Sequence, residues 1–381
     1  MFFLMKIDQA WCICCTHVDD IFVLYNKLGA KFKEKLFQKF SERVEIQNLG
    51  HVSWALKTQI LRDREAGILK ISQEAYISDI LDRYSLDKNF PLRETKSSRE
   101  SPYCVREFSE EENKVDETLK KKFQSQIGAL WWLAQISRPD IIFPLHVCSK
   151  LINTPSISLG IRLQKIFTYL SASRNFGLIY ERPSPKTPLL SAYVDAAFAS
   201  EEGVASRIGY LYFFQGNLVS WVTENPKRIM TSSTEVECRG LTEVSKENVW
   251  HRQLHQELGL FDISNPSVVF EDNHSSILLL ENQGTPHKKS KHFGIEWAYV
   301  KEAANLKEIL VQYVETTVQR ADFLTKAISH TKFHEHRDCV MGEREKQDFF
   351  LLADSSHKHR ENETEIVHSG RFQGGGAIKA S

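Results

Sequence analysis

The chain lacks any uninterrupted apolar run near the roughly 20 residues that a membrane-spanning helix needs, so its 381 residues are read without a membrane partner. It also lacks the marks of a secretion leader. The opening MFFLMKIDQAWCICC is apolar, but Lys6 and Asp8 interrupt it. No basic segment precedes it and no small-residue cleavage site follows, so it is expected to form a core strand. Paired cysteines are lacking too. There are seven, an odd number, at Cys12, Cys14, Cys15, Cys104, Cys148, Cys238 and Cys339. That count argues against a secreted disulfide framework and fits a reducing compartment. Cys12 and Cys14 have no second pair at zinc spacing. Net charge is absent, with 49 basic against 49 acidic residues, which argues against a chain built mainly to coat nucleic acid. Local basic runs remain at Lys27–Lys39, Lys120–Lys122 and His287–His292, and each also reads as an ordinary solvated face. No internal repeat is found.

What is present divides into segments. Residues 1–92 mix helix and strand patterns. Residues 93–118 are polar and charged without a sustained period, the mark of a linker. Residues 119–187 are helical, with FQSQIGALWWLAQI, SRPDIIFPLHVCSKLI and RLQKIFTYLSAS as three amphipathic stretches. Residues 188–327 alternate strand and helix patterns. LLSAYVDAAFA, IGYLYFF and NLVSWVT are strands, the last two joined by a Gly-Asn turn. A long helix follows, then a strand at PSVVFEDN, a short helix, a strand at ILVQYV and a final helix at QRADFLTKAI. That order predicts an α/β domain with a mixed five-stranded sheet, antiparallel first and parallel after the crossovers. From residue 343 to 381 the tail is charged, has little to bury and reads as disordered.

Four acids stand at strand or helix ends of this last domain: Asp195, Glu235, Asp272 and Asp322. Carboxylates converging from separate elements are what a magnesium site requires, because the ion takes oxygen ligands and keeps room for water and phosphate. Two such ions about 4 Å apart stabilise both oxygens of a phosphodiester displacement. Each acid has a plainer reading. Asp195 fits a strand-end turn, Asp272 or Asn273 a helix cap, and Asp322 a favourable contact with a helix N-terminus. Glu235 can close a capping box with Ser232, while Thr234 and Glu237 fit the same spacing; the second arrangement would free Glu235 for metal.

The words AYVDAAFA, SRIGYLYFFQGNLVSWVT, SSTEVE, EDNHSSI, HKKSKHFGI and QRADFLTK, in that order, resemble the ribonuclease H domain of Ty1/copia-type retrotransposon Pol polyproteins. The resemblance implies a ribonuclease H-like fold. It implies metal-ligand and catalytic roles for Asp195, Glu235, Asp272 and Asp322, two Mg²⁺ (or Mn²⁺) ions, and hydrolysis of RNA in RNA–DNA hybrids. Phosphate contacts would come from Lys288, Lys289 and Lys291. The sequence departs from the family pattern in three words. Ala197 stands where a second acid is usual, Phe293 and Gly294 follow Lys291 and His292 where an acid is usual, and Cys238 replaces a tyrosine. No histidine precedes Asp322 in ETTVQRAD, where many ribonucleases H carry a mobile one.

Further upstream, WCICCTHVDDIFVLYNKL reads as a hairpin with Asp19 and Asp20 at its tip and resembles the YVDD word of reverse transcriptases. His17 replaces the tyrosine. GILKISQEAYISDILDRY and IGALWWLAQISRPDI resemble further words of the same polyproteins. A polymerase site needs another aspartate from an earlier strand, and only 18 residues precede Asp19. Residues 1–92 are therefore expected to be a truncated reverse transcriptase palm/thumb-like remnant without polymerase activity of its own. The partners implied are an RNA–DNA hybrid and upstream polyprotein parts (integrase, reverse transcriptase fingers and palm), in cytoplasmic virus-like particles or the nucleus. Two other readings are a catalytically inactive or domesticated remnant that binds nucleic acid or a partner, and an unrelated metal or scaffold protein resting on His330, His334 and His336.

Overall fold

The computed structural model describes residues 2–85, 101–103, 117–199, 205–281, 294–342 and 364–369. Contacts divide the chain into two units, residues 1–56 with 350–381 and residues 57–349.

The first unit opens with β1 (Phe2–Ile7), β2 (Ala10–His17) and β3 (Asp20–Tyr25), paired in succession as antiparallel strands. The apolar opening is therefore not the single core strand expected: it is a hairpin whose β1 exposes Phe3, Met5 and Ile7, and only Cys12, Ile13 and Cys14 of β2 are buried. Asp19 lies in the tight turn between β2 and β3, and Asp20 pairs with His17. α1 (Ala30–Ser41) follows, then β4 (Ile46–His51) and the two-residue β5 (Trp54–Ala55). Phe32, Leu36 and Phe40 recur every four residues along α1, as one helix face requires. They pack against Cys12, Cys14, Ile21 and Val23 of β2 and β3.

The second unit begins with β6 (Thr58–Asp63), β7 (Ile68–Ser72) and α2 (Glu74–Ser85). Three helices come next, α3 (Glu117–Ile136), α4 (Ile142–Lys150) and α5 (Ile157–Ala172), and then β8 (Gly177–Glu181). β7 pairs antiparallel with both β6 and β8. The mixed sheet is built from β9 (Leu190–Ala197), β10 (Arg207–Phe214), β11 (Asn217–Glu224), β12 (Ser267–Glu271) and β13 (Ile309–Tyr313). Its order is β11-β10-β9-β12-β13, antiparallel through β9 and parallel beyond it. This is the mixed five-stranded α/β sheet that the strand and helix order implies. Its helices are α6 (Ser233–Leu258), α7 (His274–Glu281), α8 (Gly294–Asn305), α9 (Asp322–Thr325) and α10 (His330–Met341).

Two-residue alternation in the central strands separates two cores. Leu190, Ala192, Val194, Tyr210 and Tyr212 face one way, into a core with Leu241 and Val244 of α6 and Trp297 of α8. Leu211 and Phe213 face the other way, into a core with Phe323, Phe333 and the buried faces of α2 to α5. Trp221 Nε1 donates to the Ala134 carbonyl at 2.8 Å, tying β11 to α3.

The expected segment limits need correcting. The region 1–92 is not one body, because strand pairing joins β7 to β8 across more than a hundred intervening residues. Residues 57–85 thereby belong with the helices expected at 119–187. Part of the 93–118 linker is core: Tyr103 is buried against Phe143 and Phe333. The sheet domain does not stop at 327 either, since Phe333, Val340 and Met341 of α10 enter the same core. The tail is not strandless. β14 (Thr364–Ser369) inserts between β3 and β4 of the first unit, where its β-branched TEIVHS segment meets two open strand edges. Among the described residues no helix is long and apolar enough to cross a membrane.

Candidate metal centre

Asp195 sits near the end of β9, paired opposite Gly209 of β10, and its side chain is buried. Its odd position turns it away from α6 and towards α9, where the Thr325 hydroxyl donates to its Oδ2. Burial pushes the Asp195 carboxyl up to about 6; the neighbouring Asp322 and Asp272 charges add to this, while Lys326 and the Thr325 hydroxyl oppose it. Asp322 opens α9 and is fully buried. Lys326, one helical turn on, places Nζ 2.9 Å from Asp322 Oδ1 and 3.6 Å from Asp195 Oδ2. The Lys332 ammonium pairs with the other Asp322 oxygen. Burial works against the Lys326 charge, but Asp195 and Asp322 outweigh it and hold that ammonium above its ordinary value.

Asp272 follows β12 directly and is half-buried. The cap of α7 falls to Asn273, whose Oδ1 accepts from the Ser276 N–H at 3.1 Å. That leaves Asp272 without a capping duty. One carboxylate oxygen each from Asp195, Asp272 and Asp322 lie within 4.8 Å of one another.

Glu235 is not in this group. Ser232 is the N-cap of α6, and its hydroxyl accepts from the Glu235 N–H at 3.2 Å. The Glu235 carboxylate folds back to accept from the Thr231 N–H at 2.7 Å and the Thr231 hydroxyl at 2.9 Å. Arg228 lies 3.0 Å from its other oxygen. Glu235 therefore closes the helix start, and the alternative cap at Thr234 is not used. The acid that reaches the site is Glu237. Two residues along a helix turn the side chain by about 200°, so Glu235 and Glu237 leave α6 in nearly opposite directions. Glu237 stands four residues before Leu241 and seven before Val244, on the stripe facing the sheet.

A fifth acid, absent from the sequence expectation, completes the cluster. Glu271 ends β12 and is fully buried. One oxygen each from Glu237, Glu271 and Asp272 also lie within 4.8 Å of one another. Asp272 is common to both groups. Burial raises the Glu237 and Glu271 carboxyls well above the ordinary carboxylate value; the Glu271 charge adds to this at Glu237, and Asp272 adds to it at Glu271. Oε2 of each is buried without a hydrogen-bond donor. Hard oxygen donors left unsatisfied, in two triplets sharing one member, suit oxygen-seeking divalent cations.

The remaining expected residues lie elsewhere. Asp19 and Asp20 belong to the first unit and to neither acid group. Lys288, Lys289 and Lys291 fall outside the described residues. His330, His334 and His336 lie on α10, and among the described residues no metal-spaced group includes them.

No family model matches the chain. The chain is 27% identical, over 87% of its length, to the retrovirus-related Pol polyprotein from transposon TNT 1-94 of Nicotiana tabacum, covering 24% of that protein. It is 22% identical, over 82% of its length, to the transposon Ty1-DR1 Gag-Pol polyprotein of Saccharomyces cerevisiae, covering 18% of it. It thus spans a quarter or less of these relatives. A shorter relative, the secreted RxLR effector protein 161 of Plasmopara viticola, is 32% identical over 129 residues, which is 34% of this chain and 89% of that one. Among solved structures, LC11-RNase H1 in complex with RNA/DNA hybrid aligns with 36% of this chain and 93% of its own, at 15% identity and a TM-score of 0.27.

Proposed function

We propose that this chain, a homologue of Ty1/copia-type transposon Pol polyproteins over 82–87% of its length, hydrolyses the RNA strand of RNA–DNA hybrids at the acid cluster of its mixed sheet. The observation that carries the reading is that Asp195, Asp272 and Asp322 converge in one triplet while Asp272 also meets Glu237 in a second. Bound there, Mg²⁺ or Mn²⁺ ions would activate a water and stabilise the leaving oxygen of a phosphodiester. The protein's part is to hold the carboxylates converged and to refuse a phosphate until their charge is offset. Lys326 and Lys332 offset it only on the Asp322 side. The substrate would be held by its phosphates and 2′-hydroxyls rather than by base edges. Lys288, Lys289 and Lys291 are the candidates for the phosphate contacts, and the compartments that fit are the cytoplasm, in virus-like particles, and the nucleus. Neighbouring polyprotein parts, integrase and the reverse transcriptase fingers and palm, would be the protein partners.

The test is cleavage of a labelled RNA–DNA hybrid with Mg²⁺ or Mn²⁺ by the parent and by single variants. Asp195→Asn, Asp272→Asn and Glu237→Gln are expected to lose about a hundredfold or more, the scale of removing one electrostatic stabiliser from such a centre. Glu235→Gln is expected to keep cleavage within a fewfold of the parent. Equal cleavage by all five proteins would expose a contaminant. No cleavage by the parent with either metal would overturn the reading and leave a module that binds without reacting.

A further inference from the structure

We infer that Glu271 is a cation ligand, a fifth carboxylate that gives the Glu237–Asp272 side of the centre a third protein oxygen donor. The inference rests on the reading that the centre takes divalent cations, and goes beyond the four acids that reading requires.

The placement argues for a ligand because it is costly for an ionised carboxylate and leaves one oxygen without a donor. Ser267, Val269 and Glu271 are the buried positions of β12, and Val269 packs in the core with Leu241 and Val244 of α6. An apolar side chain is what that face calls for. Glu271 is fully buried there instead. Its Oε1 accepts from the Asn273 N–H at 3.0 Å, while its Oε2 has no donor. Glu237 Oε2 is in the same condition, with the residue only 6% exposed. Among the described residues neither acid forms an ion pair with lysine or arginine, whereas Asp322 has two lysines and Asp195 shares one of them. A buried carboxyl holds its proton, as the raised values of both glutamates imply, or ionises where it is paired or coordinates a metal. Two of them sit side by side here, within 4.8 Å of an Asp272 oxygen, and a divalent ion would satisfy all three at once. The lysines divide the centre into unlike halves. The Asp195–Asp322 half is partly neutralised by the protein, and the Glu237–Glu271 half is left for a cation that can be taken up before nucleic acid arrives.

The experiment is Mn²⁺ titration of the whole chain without nucleic acid, by calorimetry and by the electron paramagnetic resonance of free Mn²⁺. The parent is expected to bind Mn²⁺. Glu271→Gln, which keeps shape and removes charge, is expected to weaken one site tenfold or more and leave the other unchanged. Asp195→Asn is expected to weaken the other site. Glu271→Val, which suits the apolar face and needs no partner, guards against a folding defect and is expected to match Glu271→Gln. Parent-like affinity and stoichiometry in either Glu271 variant would overturn the inference alone and make Glu271 a structural acid. A parent that binds no Mn²⁺ would overturn the divalent-cation reading itself, and the inference with it.

Discussion

Burial pushes the Asp195 carboxyl up to about 6 from an ordinary 3.8. A carboxyl whose folded pKa is raised holds its proton longer in the native state than in the unfolded one. As pH rises through 3.8, unfolded chains gain by ionising and native chains do not follow until about 6. Stability is therefore lost across that window rather than gained. Asp195→Asn cannot ionise, so its stability relative to the metal-free parent should improve between pH 4 and pH 7 by about 2 kcal/mol, at about 1.4 kcal/mol per pKa unit. Urea unfolding of both proteins in chelator at the two pH values checks this, and a difference that does not change with pH would be the contrary result. The neighbouring glutamates show what sequence can and cannot settle at this scale. Asp195, Asp272 and Asp322 each lie at or beside the end of an element and are legible as a set. Glu235 and Glu237 both satisfy a capping spacing, and only the hydroxyl actually used as cap, that of Ser232, decides between them. Glu271 carried a signal in the alternation Ser267, Val269, Glu271, but a terminal strand residue reads equally well as the start of a turn.

Elements place these side chains through close backbone approach. α9 crosses β10 at Gly209, where a Cβ would stand 2.7 Å from Leu324 Cβ and 3.0 Å from Thr325 Cγ2. Neither atom is the far end of a flexible chain, so α9 would have to move. Because α9 carries Asp322 and Thr325, the displacement reaches the acid cluster directly. Gly209→Ala is expected to cost about 1–3 kcal/mol, the usual scale of overpacking. It should also weaken Mn²⁺ binding at the Asp195–Asp322 half more than at the Glu237–Glu271 half. Thermal unfolding and Mn²⁺ titration measure the two effects, and parent values in both would remove α9 packing from the account. Local pattern made the mixed sheet readable, since alternating strands and a helix of period 3.6 are properties of short windows. It did not reveal α10, whose buried Phe333, Val340 and Met341 are sparse among charged and histidine residues. Nor did it reveal β7 against β8, because strand pairing across that distance leaves no mark in either segment alone.

At the scale of the whole molecule the charge balance, 49 basic against 49 acidic residues, leaves no general field to draw in a nucleic acid. Attraction to a polyanion must then come from local basic runs and from cations held by the acids. The run His287–His292 contains Lys288, Lys289 and Lys291 and lies between α7 and α8 in the sequence. Phosphate contacts release condensed counterions, so hybrid affinity should fall as salt rises, with a slope set by the number of contacts. Replacing all three lysines by glutamate is expected to weaken binding to every hybrid sequence alike and to flatten the salt slope by about one unit per lysine that contacts a phosphate. Glu271→Gln should act differently, lowering affinity in Mn²⁺ while leaving it unchanged in chelator. Fluorescence anisotropy of a labelled hybrid across a salt series, with and without Mn²⁺, separates the two contributions. A triple-lysine variant with the parent's slope would return those residues to the solvated surface, and hybrid attraction would then have to rest on the ion-loaded acids.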